Sequence, residues 1–300
     1  MELWIPISLA AAFLQNLRSS LQKHLKGQLS TSGATFSRFA YAAPLAILYA
    51  LLLSLLGGFE VPTPNTTFLI SMLIGGIGQI LATALLVSLF SLRNFAVGTT
   101  FSKTETIQTA IFGLVILGDT LDGIALVAIV ISLIGVFAIS TARTEKGIAG
   151  LIKGLRDRSA FIGIASGALF GLSAVSYRAA SLSLGGEGFL MQAGFTLACV
   201  TLFQTILMAV YMRLREPGQI TMVLKSWRVS SLVGLSGMLA SACWFTAMTI
   251  QNAAYVRALG QVELVFAFAS SYFIFGERSN RTEMIGIGLV AFGILLLLLA

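Results

Sequence analysis

Ten predominantly apolar stretches, each close to the roughly 20 residues that a helix needs to cross the hydrocarbon core of a bilayer, follow one another along this 300-residue chain. They are long and continuous, unlike the ~10-residue alternating strands of a membrane barrel. In lipid a spanning backbone must satisfy its own polar groups, so these runs read as helices. Charged residues make up only 10% of the chain and hydrophobic residues 57%, whereas a soluble domain carries about 25% charge. The expected fold is an all-α integral membrane protein with ten transmembrane helices, at 3–22, 33–56, 67–91, 95–118, 122–142, 159–181, 188–213, 230–251, 253–275 and 283–299.

The first span follows Met1 and Glu2 without a basic leader, and Gln15, Asn16 and Arg18 interrupt it where a signal peptide requires an apolar core. It is expected to be retained and to face protein. Cys199 and Cys243 both fall in apolar spans, which argues against a structural disulfide. His24 is the single histidine, so a metal site of His and Cys is not expected, and no cofactor is implied.

The basic residues fix an orientation. Lys23, Lys26, Arg93, Arg143, Lys146, Lys153, Arg156, Arg158, Arg213, Arg215, Lys225, Arg228, Arg278 and Arg281 all fall in odd-numbered connections, while the even-numbered loops hold Glu60, Asp119, Asp122 and Glu187. By the positive-inside rule the odd connections are cytoplasmic and both termini lie outside. The net charge of +7 then reflects topology and anionic lipid, and nucleic acid is not an expected partner. Residues 143–158 read either as a short amphipathic helix on the membrane surface, through Ile148, Leu151, Ile152 and Leu155, or as a solvated basic linker. The segment Met222, Val223 and Trp227 among Lys225 and Arg228 has the same two readings.

The chain is also a duplication. Glu105 and Glu263 lie 158 residues apart, and at that one ungapped offset Gly76 meets Gly234, Ala82 meets Ala240, and Asn94 meets Asn252. Ala96 likewise meets Ala254, Gly118 meets Gly276, Asp119 meets Glu277 and Gly135 meets Gly293. The domains expected are a first five-helix repeat over 1–142, the basic linker 143–158, and a second five-helix repeat over 159–300. Five spans per copy invert the second copy across the membrane, an arrangement that places a substrate site near the midplane where repeats meet.

Glu105 and Glu263 are expected near the centres of the fourth and ninth spans. A carboxylate at that depth costs a few kcal/mol, so it faces an interior cavity, either as a substrate or proton site or as a protonated interhelical bond. Ser102, Gln108 and Thr109, with Phe101 and Phe112, share the face of Glu105 at helical spacing. Leu259, Gly260, Phe266, Ala267 and Ser270 do so for Glu263. Lys103 stands two residues from Glu105 and off its face; it lines the cavity beside Glu105 or pairs with a carboxylate on a neighbouring helix. Gln261 and Arg257 are the repeat partners of Lys103 and Thr99. Glu263, without a neighbouring cation in sequence, is expected to take a proton more easily than Glu105. Arg38 is a candidate for a gate contact or for an anionic group, and Arg178 is expected to snorkel. Gln79 and Trp244 add polar and amphipathic groups to the third and eighth spans, so the cavity is expected from spans one to four and six to nine. The four-residue steps from Gly163 to Gly171 read as ordinary close helix packing.

The string from Gln261 to Ala267, then Phe275-Gly276-Glu277-Arg278 and Gly286 to Gly293, resembles the second repeat of the drug/metabolite transporter superfamily in its EamA-like branch. Thr104-Glu105-Thr106 to Leu117-Gly118-Asp119, with Arg38, resembles the first repeat more weakly. Two departures stand out: no proline follows either glutamate, and Asp119 occupies a position where Glu is usual. The resemblance implies a ten-helix carrier of small organic solutes, often an exporter of amino acids, with both termini cytoplasmic, the reverse of the charge count.

The expected function is a secondary transporter, an exporter or exchanger of a small polar metabolite such as an amino acid, in the cytoplasmic (plasma or inner) membrane. The partners implied are a small-molecule substrate and the lipid bilayer, with a homodimer as an allowed assembly. The site residues expected are Glu105, Glu263, Lys103, Gln261, Arg257, Arg38, Gln79, Trp244, Gln108 and Ser102. A non-transporting receptor or scaffold is the alternative. An intramembrane enzyme needs a nucleophile and base at membrane depth, and the lone histidine lies in a loop.

Overall fold

The computed structural model describes residues 2–25, 28–89, 100–142, 158–186, 188–266 and 281–299, and every regular element among them is helical. In chain order these are α1 Trp4–Leu25, α2 Thr31–Leu55, α3 Thr66–Leu89, α4 Glu105–Leu117, α5 Gly123–Ala142 and α6 Arg158–Ser183. They continue with α7 Phe189–Arg215, α8 Gln219–Lys225, α9 Trp227–Ile250, α10 Ala253–Leu259 and α11 Arg281–Leu297. Six of them, α2, α3, α5, α6, α7 and α9, are long and apolar enough to cross a membrane. The protein is an all-helical integral membrane protein.

Local chemistry sets the helix ends. Ser30 Oγ accepts from Gly33 N at 3.0 Å to start α2, and Asn65 Oδ1 accepts from Phe68 N at 2.7 Å to start α3. Gly118 closes α4 in the left-handed region at φ 69°, where its N–H returns to Leu114 O and that of Asp119 to Gly113 O. Of the two segments expected on the membrane surface, Gln219–Lys225 forms the short helix α8, with Val223 fully buried and Met222, Leu224 and Trp227 exposed. The basic linker lies outside the described residues apart from Arg158, which opens α6.

The fourth and ninth spans depart from the continuous helices expected at 95–118 and 253–275. Helix over 100–102 gives way to a turn at Lys103 and Thr104 before α4; α10 gives way to a turn at Gly260 and Gln261 before helix resumes over 262–266. At the first break Lys103 N bonds Thr100 O at 3.0 Å, and at the second Gln261 N bonds Ala258 O at 3.1 Å. These i→i−3 bonds are 158 residues apart, so the tightening recurs at one place in both halves. Thr104 Oγ1 donates to Phe101 O at 2.6 Å and competes for that carbonyl. Gly260 is a weak helix former in its own right.

The chain divides into two compact units, Met1–Ile80 with Ser173–Gln251, and Leu81–Leu172 with Asn252–Ala300. Each therefore draws on both expected sequence repeats. In the first unit α1 packs on α9, and α2 packs on α7 and α9, around buried Phe39, Phe68, Tyr177, Leu197 and Met248. Gly234 lets α9 touch Tyr41 of α2, where any side chain would collide with the backbone.

In the second unit α5 lies against α11. A Cβ on Gly135 would stand 2.6 Å from Gly286 O and 2.8 Å from Val290 N. One on Gly293 would stand 2.8 Å from Ala128 O and 2.9 Å from Ser132 N. Positions 128, 132 and 135 become 286, 290 and 293 at the 158-residue offset, so this is one contact made twice.

Candidate functional site

The second unit gathers seven of the expected site residues at the two helix breaks. Glu105 is the first residue of α4 and Glu263 the second of the helical run 262–266, where the unpaired N–H groups of a helix start favour a carboxylate. Lys103 Nζ donates to Glu263 Oε1 at 2.6 Å. Arg257 NH1 stands 3.0 Å from Glu105 Oε1, a charge contact outside hydrogen-bond geometry. The side chains keep 26% and 20% exposure in the first pair and 12% and 17% in the second, so the cluster is partly open.

The pairing is crossed, and of the two readings open for Lys103 the structure shows the second. Lys103 sits in the turn before α4, and its Nζ bonds Glu263 and not Glu105. It reaches the carboxylate of the other half, and Arg257 returns the contact. Glu263 therefore has a cation, although none stands beside it in the sequence.

Polar side chains complete the cluster. Gln261 Nε2 donates to Thr106 Oγ1 at 2.8 Å, and Gln108 Nε2 reaches Ile164 O of α6 at 3.4 Å. Gln108 Oε1 and Gln261 Oε1 are buried and accept no hydrogen bond among the described residues. Ser102 is buried at the end of the helical run before the break. Two acids, two cations and two spare amide acceptors make a neutral cluster able to exchange ion pairs and hydrogen bonds with a polar solute.

Gly167 and Gly171 press α6 onto this break. A Cβ on Gly167 would stand 2.8 Å from Ser102 O, 2.9 Å from Gln108 Oε1 and 3.2 Å from Glu105 N; one on Gly171 would stand 2.9 Å from Thr109 Oγ1 and 3.0 Å from Thr109 N. The glycine steps expected as plain packing thus set the backbone at Glu105.

Arg38, Gln79 and Trp244 fall in the first unit. Gln79 Oε1 accepts from Tyr177 Oη at 3.1 Å and from Gln204 Nε2 at 2.9 Å, and Tyr177 Oη also donates to Gly75 O at 2.9 Å. Trp244 Nε1 donates to Gln15 Oε1 at 3.0 Å. Sequence reasoning missed Tyr177 and Gln204, although Gln204, an amide in the middle of an apolar span, was the available signal. Arg178 does not snorkel: its NH1 donates to Met248 O and Gln251 O, both at 2.7 Å, and caps the end of α9.

A helical membrane protein with paired carboxylates at broken spans is the class that fold and site define. Residues 158–299 match the EamA-like transporter family. A solved structure described as "Crystal structure of protein" aligns over 99% of this chain and 96% of its own with a TM-score of 0.73 at 14% identity. That likeness shows the fold over the whole length. Comparison with curated proteins gives no significant match. The second half of this helical membrane protein thus carries the likeness to the EamA-like transporter family.

Proposed function

We propose that the protein is a secondary transporter, an exporter or exchanger of a small polar organic metabolite such as an amino acid. The observation that carries this reading is the crossed pairing of Lys103 with Glu263 and Arg257 with Glu105 at two breaks related by the 158-residue offset. Half-helix ends inside a membrane present dipoles and unpaired backbone groups to a solute. The partly exposed ion pairs supply charges that such a solute displaces. Glu105 and Glu263 hold the solute or a coupled proton, while Lys103, Arg257, Gln261, Gln108 and Ser102 set selectivity. Arg38, Gln79 and Trp244 contribute polar groups within the first unit.

Ten spans as two inverted repeats, working by alternating access, account best for the repeated breaks and for the contact that α5 and α11 make twice. The basic connections put Arg213, Arg215, Lys225 and Arg228 on the cytoplasmic side of the plasma or inner membrane, with both termini outside. A tag at the carboxy terminus, probed on intact cells, tests that orientation.

Transport is tested in proteoliposomes with a panel of labelled amino acids and an imposed pH gradient. Glu105→Gln and Glu263→Gln are each expected to lower the initial rate at least tenfold. Unchanged rates in both variants would remove the pair from the mechanism. No transport of any panel member by the unaltered protein would favour the receptor reading.

A further inference from the structure

Helices α7 and α9 are both long and apolar enough to cross a membrane, and the short helix α8 lies on the connection 216–226 between them. So brief a connection keeps α8 at the bilayer face where the two spans end. Its inward side is anchored: Val223 is fully buried and, with Ile220 one turn before it, packs in one cluster with Leu25, Leu29 and Met212. Its outward side is uncovered among the described residues, since Met222, Leu224 and Trp227 keep 41%, 60% and 57% exposure.

The connection and the span ends that flank it are basic. Arg213, Arg215, Lys225 and Arg228 are all exposed, and no carboxylate pairs with any of them among the described residues. Glu216, the one acidic residue between Arg213 and Arg228, instead accepts from Ser30 Oγ at 2.6 Å, while Gln219 Oε1 accepts from Ser30 N at 3.3 Å. Ser30 also caps α2, so the turn before α8 is tied to the start of a neighbouring span. The Arg228 guanidinium stands 5.8 Å from the centre of the Trp227 ring, within the range of a cation over an indole. In water, apolar side chains so exposed would be a liability. At a bilayer surface they enter the boundary between headgroups and chains, while lysine and arginine meet anionic headgroups.

We infer that α8, with the adjoining ends of α7 and α9, is a docking surface for anionic phospholipid. Lys225 and Arg228 hold the headgroup phosphate, and Met222, Leu224 and Trp227 enter beside the chains. The surface depends on the membrane-embedded fold alone and holds whether or not the protein carries a solute. The full-length protein is reconstituted in vesicles of phosphatidylcholine and phosphatidylglycerol at roughly four to one, with the same fraction of total lipid brominated on its chains as either phosphatidylglycerol or phosphatidylcholine. Trp4 and Trp244 are only 4% and 5% exposed, so Trp227 carries the quenching of tryptophan fluorescence. Brominated phosphatidylglycerol is expected to quench roughly twofold more than brominated phosphatidylcholine. Trp227→Phe should remove that difference, and Lys225→Gln combined with Arg228→Gln should make the two lipids quench alike. Sodium chloride at about 1 M, where the Debye length falls to about 3 Å, should reduce the preference in the unaltered protein and so gives an answer even if a variant does not fold. Equal quenching by the two lipids in the unaltered protein overturns the proposal, as does a preference that survives removal of Trp227 or of the two cations. Quenching by neither lipid leaves the face to water or to a second copy of the chain and overturns it too.

Discussion

The two compact units stabilise buried polarity in opposite ways. In the second, charge collects where helices are interrupted: Lys103, Glu105, Arg257 and Glu263 flank two tight turns. In the first, which also buries Arg18 and Arg38, helices run unbroken past Gln79, Tyr177 and Gln204, and the network these three form consists of neutral groups and the carbonyls of Gly75 and Gly76. A continuous helix has already used its backbone groups, so neutral side chains that bond one another suffice. A broken helix offers free backbone ends whose dipoles favour charge. In the proposed mechanism the second unit is therefore the place where ions exchange partners.

The largest effect is expected at Gly167, where α6 presses on the break. Gly167→Leu forces a side chain into Ser102 O and Glu105 N and should destabilise by about 3 kcal/mol or more. An unfolding series in detergent checks it; a stable variant would mean that the break is not held by α6. Next in size, Glu263→Gln leaves the Lys103 ammonium without its carboxylate, at about 2–3 kcal/mol given the partial exposure of the pair. Adding Lys103→Gln should recover part of that, and a double-mutant cycle with no coupling would dissolve the crossed pairing. Gln204→Leu tests the neutral network by removing donors to Gly76 O, Gln79 and Tyr177, at about 1–3 kcal/mol. If it cost more than the loss of the Glu263 charge, the contrast between the units would reverse. The smallest effect, about 1 kcal/mol, is expected from Arg178→Met, which uncaps α9 without touching either cluster. Its melting curve should shift while transport kinetics stay unchanged.

Much of the fold was legible because membrane helices announce themselves by length and apolarity. Helix bounds such as Gly123–Ala142 and Phe189–Arg215 fall within a few residues of the expected 122–142 and 188–213. The 158-residue offset that relates the two breaks was legible too, since Glu, Asn and Gly matches at that offset stand out against a background of Leu and Ala. The breaks before Glu105 and at Gly260 were not, because Thr and Gly are tolerated inside membrane helices and only backbone geometry shows the turn. Nor was the choice of ion partner, which depends on which helices meet.

By itself the sequence determined that this chain is a helical membrane protein, with a glutamate inside an apolar stretch of each half. Those conclusions depend on local quantities: the apolar length of a span, the spacing along a helix and the cost of a charge in lipid. Tertiary structure alone decided that Lys103 serves Glu263, that Arg257 serves Glu105, and that Gly167 and Gly171 hold the backbone between them. Pairing of groups some 150 residues apart follows from how helices pack, and periodicity along one helix carries no information about its neighbour.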